Sequence, residues 1–109
     1  MQVEISHHID ASEPDEEGNY LYYYEYDIYV FSKDDAVFFV RAYTDEPDCA
    51  SFQSRSEGSN DYLLKDADLH HPLLLLACEY LRKSGKTRLQ WLSGKDSAYL
   101  PILTPEKEN

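Results

Sequence analysis

The segment from Tyr20 to Phe31 is almost entirely aromatic and aliphatic, with Glu25 and Asp27 on one of its two alternating faces, and this pattern predicts a β-strand. The run is dense in aromatic and β-branched side chains, which favour the pleated surface of a sheet. Polar residues at 32–35 then predict a tight turn, and the apolar run at 36–44 predicts a second strand. Because the connection is so short, we expect the two strands to form an antiparallel hairpin.

A helical spacing of apolar residues begins further along the chain and predicts one main helix from about His71 to Ser84. Pro72 suits the first turn of a helix, where its missing N–H is not needed. Gly85 suits the position just after the last turn, where the backbone often becomes left-handed. The leucine-rich stripe of this helix is wide, so we expect it to lie largely buried against the sheet.

The remaining segments give weaker patterns. Residues 3–9 predict a short edge strand, and residues 49–55 are compatible with either a third strand or a short helix. Residues 87–92 alternate as a strand does, and residues 98–103 predict a closing strand. Pro101 cannot donate a ladder hydrogen bond, which places that last strand at an edge of the sheet.

Together these elements predict a single α+β domain over residues 1–109. The expected architecture is a small antiparallel sheet in the order β-β-(β or α)-α-β-β, packed on one main helix. Residues 10–19 hold five acidic residues and no basic one, which predicts an exposed acidic loop or arm. Residues 104–109 are polar and predict a flexible tail.

The charge of the chain is strongly acidic and unevenly distributed. Asp and Glu number 21 against 10 Lys and Arg, for a net charge of −11. Residues 1–68 carry a net −13, whereas residues 69–109 carry a net +2. Because phosphate would be repelled by most of this surface, we expect a basic partner and no nucleic acid.

Motifs that would indicate catalysis, a cofactor or a metal are missing from the sequence. The four glycines are isolated, so no phosphate-binding loop is predicted, and no serine or cysteine lies in a nucleophile motif. The pairs His7-His8 and His70-His71 lack the spacing of metal ligands, because adjacent side chains of a strand point to opposite faces. We therefore expect a protein that is not an enzyme and holds no cofactor or metal.

The cysteines and the apolar runs indicate where the protein resides. Cys49 and Cys78 match no paired motif and are expected to be free thiols in a reducing compartment. No apolar run approaches the roughly 20 residues of a membrane-spanning helix, and the N-terminal residues do not resemble a signal peptide. These features predict a cytoplasmic protein that does not bind membranes.

Tyrosine is the most unusual feature of the predicted hairpin, since six of the ten tyrosines lie between Tyr20 and Tyr29. One helix cannot cover both faces of such a strand, so we expect some rings to be exposed beside acidic residues. Tyrosine is frequent at binding hot spots, which makes this region a candidate docking surface for a basic protein. The predicted partner-binding residues are Tyr22, Tyr24, Glu25, Asp27, Asp34, Asp35, Asp45, Glu46 and Asp48.

Three segments, Arg41 to Phe52, Ala77 to Gly85 and Leu89 to Leu92, resemble small immunity proteins of bacterial polymorphic-toxin and contact-dependent growth inhibition systems. The resemblance covers about residues 37–103. It implies an acidic single-domain protein that binds and neutralises a cognate toxin. These families share no invariant functional motif, so no binding residue is carried over. A cytoplasmic immunity protein implies a toxin that acts there, often a basic nuclease.

The leading hypothesis is therefore an immunity protein that blocks a cognate, basic toxin through an acidic, tyrosine-rich surface, as a monomer or homodimer. The alternative is a regulatory or adaptor domain that binds a small ligand or another cellular protein, with the ligand held between helix and sheet. A small hydrolase would instead require His70 or His71 within hydrogen-bond reach of Cys49 or Asp48.

Overall fold

The alternating and helical patterns of the sequence become one sheet and one α-helix in a computed structural model, which describes residues 1–102. The predicted α+β class is confirmed: seven strands form a mostly antiparallel sheet. The predicted tail at 104–109 lies outside the described residues. The strands are β1 (Gln2–Ala11), β2 (Tyr23–Lys33), β3 (Ala36–Tyr43), β4 (Cys49–Glu57), β5 (Asn60–Tyr62), β6 (Arg88–Ser93) and β7 (Ala98–Pro101). A short 3-10 helix (Asp66–His70) precedes α1 (Pro72–Lys83).

The strand order across the sheet is β1-β2-β3-β4-β6-β7, with β5 pairing beside the far end of β4. The first four strands form an antiparallel meander, whereas β4 and β6 run parallel, with Cys49 opposite Arg88 and Phe52 opposite Trp91. A parallel pair needs a long crossover, and α1 lies within that crossover. The expectation of a purely antiparallel sheet is therefore corrected at this one pair.

The structure also resolves the alternative at residues 49–55 and lengthens the strand predicted at residues 3–9. The open alternative at 49–55 is a strand, because alternate residues of β4 contribute to the core between β3 and β6. The expected short edge strand at 3–9 extends over ten residues. Its apolar residues alternate with polar ones, but His7 interrupts the apolar face and few of its side chains are large, so the pattern marks the strand and not its full length.

Helix α1 begins and ends as its sequence indicates. His71 is the N-cap residue, and its Nδ1 accepts a hydrogen bond of 3.1 Å from the backbone N–H of Leu73. At the other end Gly85 has a φ of +95°, a left-handed conformation that glycine adopts without a steric penalty. Neither helix among residues 1–102 is long and apolar enough to cross a membrane.

The hydrophobic core lies between α1 and one face of the sheet. Leu74, Ala77 and Leu81 of α1 are fully buried, as are Phe31 and Phe52 of the sheet. The opposite face of the sheet is not covered by a helix, and apart from Cys49 and Ser51 of β4 its residues are half-buried or exposed. The fold therefore has one packed face and one open face.

Candidate functional site: an acidic aromatic arm

The outer end of the β1–β2 hairpin extends past the rest of the sheet. Strand β3 ends at Tyr43, opposite Tyr26, whereas β1 and β2 stay paired as far as Ala11 and Tyr23. Residues 9–25 therefore continue as two strands and a loop, and we call this segment the arm. A two-stranded ribbon has no third strand or helix to bury its side chains, so both of its faces meet solvent.

The arm exposes an unusual amount of apolar surface beside acidic side chains. Its loop is ordered by Asp15, whose Oδ1 accepts backbone hydrogen bonds from Glu17 at 2.9 Å and Asn19 at 2.8 Å. The exposed fractions of its large apolar and aromatic residues lie between 45% and 95%. They are Ile9, Tyr20, Leu21, Tyr22, Tyr23 and Tyr24. The exposed loop carboxylates are those of Glu13, Asp15, Glu16 and Glu17.

On the open face, five rings form a continuous row that runs from the arm onto the sheet. Tyr22 stacks on Tyr24 at 6.0 Å between ring centroids, and Tyr24 meets Tyr43 at 6.2 Å. Tyr43 then contacts Tyr26 at 5.6 Å, and His8 stacks on Tyr26 at 5.5 Å. We call these five residues the aromatic row.

Arg41 lies against the aromatic row and fixes its inner end. The guanidinium carbon of Arg41 is 4.6 Å from the centroid of the Tyr26 ring, a cation–π contact. Its Nη1 donates to the hydroxyl of Tyr43 at 3.3 Å. Within residues 1–102, Arg41 forms no ion pair. The row is therefore a supported, semi-rigid surface and not a set of free side chains.

The other face of the hairpin carries a cluster of carboxylates around a histidine. His7 Nδ1 lies 2.7 Å from Asp27 Oδ1, and its Nε2 lies 2.7 Å from Glu25 Oε2. Both ring nitrogens donate at once only when the imidazole is protonated. The hydrogen bond to Asp27 raises the pKa of His7 above its ordinary value of 6.5, the bond to Glu25 adds to this, and desolvation opposes both.

The predicted acidic residues after β3 lie at the base of the arm. The N–H of Thr44 donates to the carbonyl of Glu25 at 3.0 Å, which holds the β3–β4 loop beside the arm. Asp48 in this loop binds Arg88 through both carboxylate oxygens, at 2.9 and 3.0 Å, and this contact lowers the pKa of Asp48. Glu46 lies 3.8 Å from the same guanidinium. Part of this acidic loop is thus already paired within the chain.

The structure divides the predicted site residues into two groups. Tyr22, Tyr24, Glu25, Asp27 and the loop residues Asp45, Glu46 and Asp48 lie at one end of the hairpin. Asp34 and Asp35 form the β2–β3 turn at the opposite end of β2. A strand rises about 3.3 Å per residue, so this turn is roughly 30 Å from the arm. The expectation that these two aspartates lie beside the exposed rings does not fit that geometry.

Other residues of this surface were not predicted as site residues. Tyr43, Arg41, His7 and His8 reach it only through strand pairing, since Tyr26 is opposite both Tyr43 and His8. The alternation of residues 5–9 was the available signal. The alternation identifies which side chains of β1 share a face. It does not show which residues of β2 lie opposite them, because that register depends on both strands.

Cys49 and Cys78 are buried free thiols, and His71 is engaged as the N-cap of α1. Burial raises the pKa of Cys78 to about 11 and also raises that of Cys49. A thiol with a raised pKa is a poor nucleophile at neutral pH. His71 caps α1, and Asp48 binds Arg88. Among residues 1–102, no three His, Cys, Asp or Glu side chains converge as metal ligands.

A cleft of about 500 Å³ lies away from the arm, between residues 63–67 and the β6–β7 turn. Trp91 and Lys95 contribute to its walls. The small-ligand alternative places the ligand between α1 and the sheet, but fully buried side chains such as Leu74 and Phe31 occupy that space. The cleft therefore does not lie between α1 and the sheet, where the small-ligand alternative places its ligand.

No family model, curated protein or solved structure matches the chain.

Proposed function

We propose that this protein is an immunity protein that neutralises a basic toxin by docking the arm onto it. The arm carries the proposal, because it exposes large apolar and aromatic side chains that the core does not use, beside a loop with several carboxylates. Tyrosine offers a large apolar area and a hydroxyl at a small loss of conformational entropy. Such a surface is suited to bury against a protein partner.

The charge of the chain supports a basic partner, and under this proposal the partner lies in the cytoplasm together with the protein. Residues 1–68, which include the arm, carry a net −13. A field of this sign accelerates association with a basic protein and repels nucleic acid. Occupying the surface that a nuclease uses for its negatively charged substrate would inhibit it without any chemistry by the inhibitor.

The first test is co-purification with the toxin encoded immediately upstream, followed by measurement of affinity for arm variants. Tyr22→Ala is expected to weaken binding by about 2 kcal/mol, roughly 30-fold, as at a typical hot spot. Tyr62→Ala is the matched control, because Tyr62 and Tyr22 are both 45% exposed and Tyr62 lies on β5, away from the arm. Equal affinities of the two variants would contradict arm docking.

Charge-reversal variants test whether the toxin recognises the acidic residues at the base of the arm or only the net charge of the protein. Glu25→Lys with Asp27→Lys, and Asp34→Lys with Asp35→Lys, change the net charge by the same amount at opposite ends of β2. The first pair should reduce neutralisation of the toxin strongly, and the second should leave it nearly unchanged. Thermal melts of both variants ensure that the comparison is between folded proteins. If the variant with Glu25→Lys and Asp27→Lys still neutralised the toxin fully, this surface would not be the toxin-binding site.

A further inference from the structure

Strand β1 is a long, regular edge of the sheet, and its main protection against pairing with another chain is the charge of Glu4 and Asp10. It pairs with β2 from Gln2 to Ala11 without a register break, and its other edge has no strand beside it among residues 1–102. Natural edge strands are commonly short, bulged, or interrupted by Lys or Pro, which prevents pairing with another chain. At the opposite edge β7 shows two of these features, since it has four residues and ends in Pro101. None of them is found in β1.

The hydrogen bonds of the hairpin show which backbone groups of β1 are unpaired. The N–H of Ser12 donates to the carbonyl of Tyr22 at 3.0 Å, so even-numbered residues of β1 bond to β2. Successive residues of a strand direct their polar groups to opposite sides. The outward-facing residues are therefore Val3, Ile5, His7, Ile9 and Ala11, and of these Ile5 is 52% and Ile9 58% exposed.

We infer that two copies of this chain pair antiparallel through β1, with Ser6 of each copy opposite Ser6 of the other. In an antiparallel pair, an outward-facing residue must lie opposite another outward-facing residue. Because the outward-facing residues are the odd-numbered ones, the permitted registers differ from one another by shifts of two residues. Two of these registers pair nearly the whole strand, one centred on Ser6 and one centred on His7.

The charges of β1 select the register centred on Ser6, although the register centred on His7 would place Ile5 opposite Ile9. The register centred on Ser6 places Val3 opposite Ile9 on one face of the sheet and Glu4 opposite His8 on the other. The register centred on His7 places Glu4 opposite Asp10, and like charges directly opposite are destabilising. Registers shifted further pair less of the strand.

The pairing is compatible with the acidic character of the chain, and it uses Ile9 and Asp10 at the base of the arm while leaving the rest of the arm free. Four outward-facing residues in each strand would exchange about eight backbone hydrogen bonds and cover both exposed isoleucines. The acidic loops at 13–17 would lie at opposite ends of the paired strands. Their separation exceeds roughly 30 Å, beyond the Debye length of about 8 Å, so their repulsion is screened. The four tyrosines of the aromatic row stay uncovered, because the pairing uses an edge and not a face, and only His8 meets the second copy.

Light scattering and disulfide trapping test this dimer on the full chain without any toxin present. Size-exclusion chromatography with light scattering should give twice the 12.7 kDa of one chain, falling to the monomer mass on dilution. Ile5→Lys should give the monomer mass at concentrations where the wild type is dimeric. Ser6→Cys should cross-link rapidly under mild oxidation, because opposite residues of a non-hydrogen-bonded pair have Cα atoms about 4.5 Å apart, within disulfide range.

The controls are built into the same strand. Glu4→Cys lies on the same face, but its two copies would be roughly 13 Å apart and should not cross-link. The wild type should also remain uncross-linked, since Cys49 and Cys78 are buried. A monomer mass at every concentration overturns the inference, as does a dimer that survives Ile5→Lys. Faster cross-linking of His7→Cys than of Ser6→Cys overturns the register. None of these outcomes depends on the arm binding a toxin.

Discussion

The two ends of strand β2 carry the same kinds of side chain in opposite environments. On one face of this strand, Tyr29 is 7% and Phe31 0% exposed, whereas Tyr23 is 48% exposed. Tyr80 of α1 covers the first two rings, with a ring-centroid distance of 5.6 Å to Phe31. The helix does not reach the arm. Exposure along the strand is therefore decided by where α1 lies and not by residue type, and this separates a region that stabilises the fold from a region available for binding.

The largest effect that should distinguish the two regions is on stability. Phe52 is fully buried and packs edge-to-face on Phe38 at 6.3 Å, so Phe52→Ala should lower the free energy of unfolding by about 3–5 kcal/mol. Tyr24→Ala, in the half-exposed aromatic row, should lower it by about 1 kcal/mol or less. Urea unfolding followed by circular dichroism measures both. A loss for Tyr24→Ala as large as that for Phe52→Ala would show that the arm is part of the core.

The packed region is also the part of the fold that the sequence predicts well. Leucine spacing with Pro72 and Gly85 predicted α1 to within about a residue, because capping and periodicity act locally. The hairpin of β2 and β3 was also predicted, but β2 runs from Tyr23 to Lys33 and the predicted strand ran from Tyr20 to Phe31. The parallel pairing of β4 with β6 was not predicted, since it depends on a crossover and on contacts between residues far apart in the chain.

The candidate site was predicted only in part, for the same physical reason. Tyr22 and Tyr24 are visible as a local concentration of tyrosine. Tyr43 joins them from another strand, and only the register that pairs it with Tyr26 shows this. Asp34 is close to the tyrosines in sequence, yet the extended strand carries it to the other end of the sheet. Sequence proximity within a strand is a poor guide to proximity in space.

An intermediate effect is expected at the start of α1, within the packed region. The Nδ1 atom of His71 satisfies the N–H of Leu73, one of the donors left free at a helix N-terminus. Replacing a side chain that caps a helix in this way costs about 1 kcal/mol, so His71→Ala should lower the free energy of unfolding by that amount. His70→Ala is the matched control, because His70 is exposed and precedes the cap. Equal stabilities of the two variants would exclude a capping role.

The smallest expected effect on the free energy of unfolding concerns His7 at the base of the arm, which is held by hydrogen bonds to carboxylates and not by apolar packing. The pKa of His7 is raised in the folded protein, chiefly by the hydrogen bond to Asp27. A histidine of this kind stabilises the fold fully below its unfolded pKa, about 6.5, and the contribution is lost as the pH rises through the raised folded value. His7→Gln should therefore be less stable than the wild type at pH 5.5 and nearly equal to it at pH well above the raised value, as unfolding curves at several pH values would show.

Asp27→Asn provides the matched test of the cause, because it removes the negative charge and keeps the size of the side chain. The pKa of His7, followed by NMR titration of its ring protons, should fall in this variant toward the ordinary value. An unchanged pKa would mean that Asp27 does not hold the imidazole. His7, Glu25 and Asp27 are outside the hydrophobic core, so their hydrogen bonds add to the backbone ladder in holding this face of the hairpin. The two regions of β2 would then differ in mechanism as well as in exposure. The burial of Tyr29 and Phe31 varies little with pH, whereas the hydrogen bonds of His7 depend on pH.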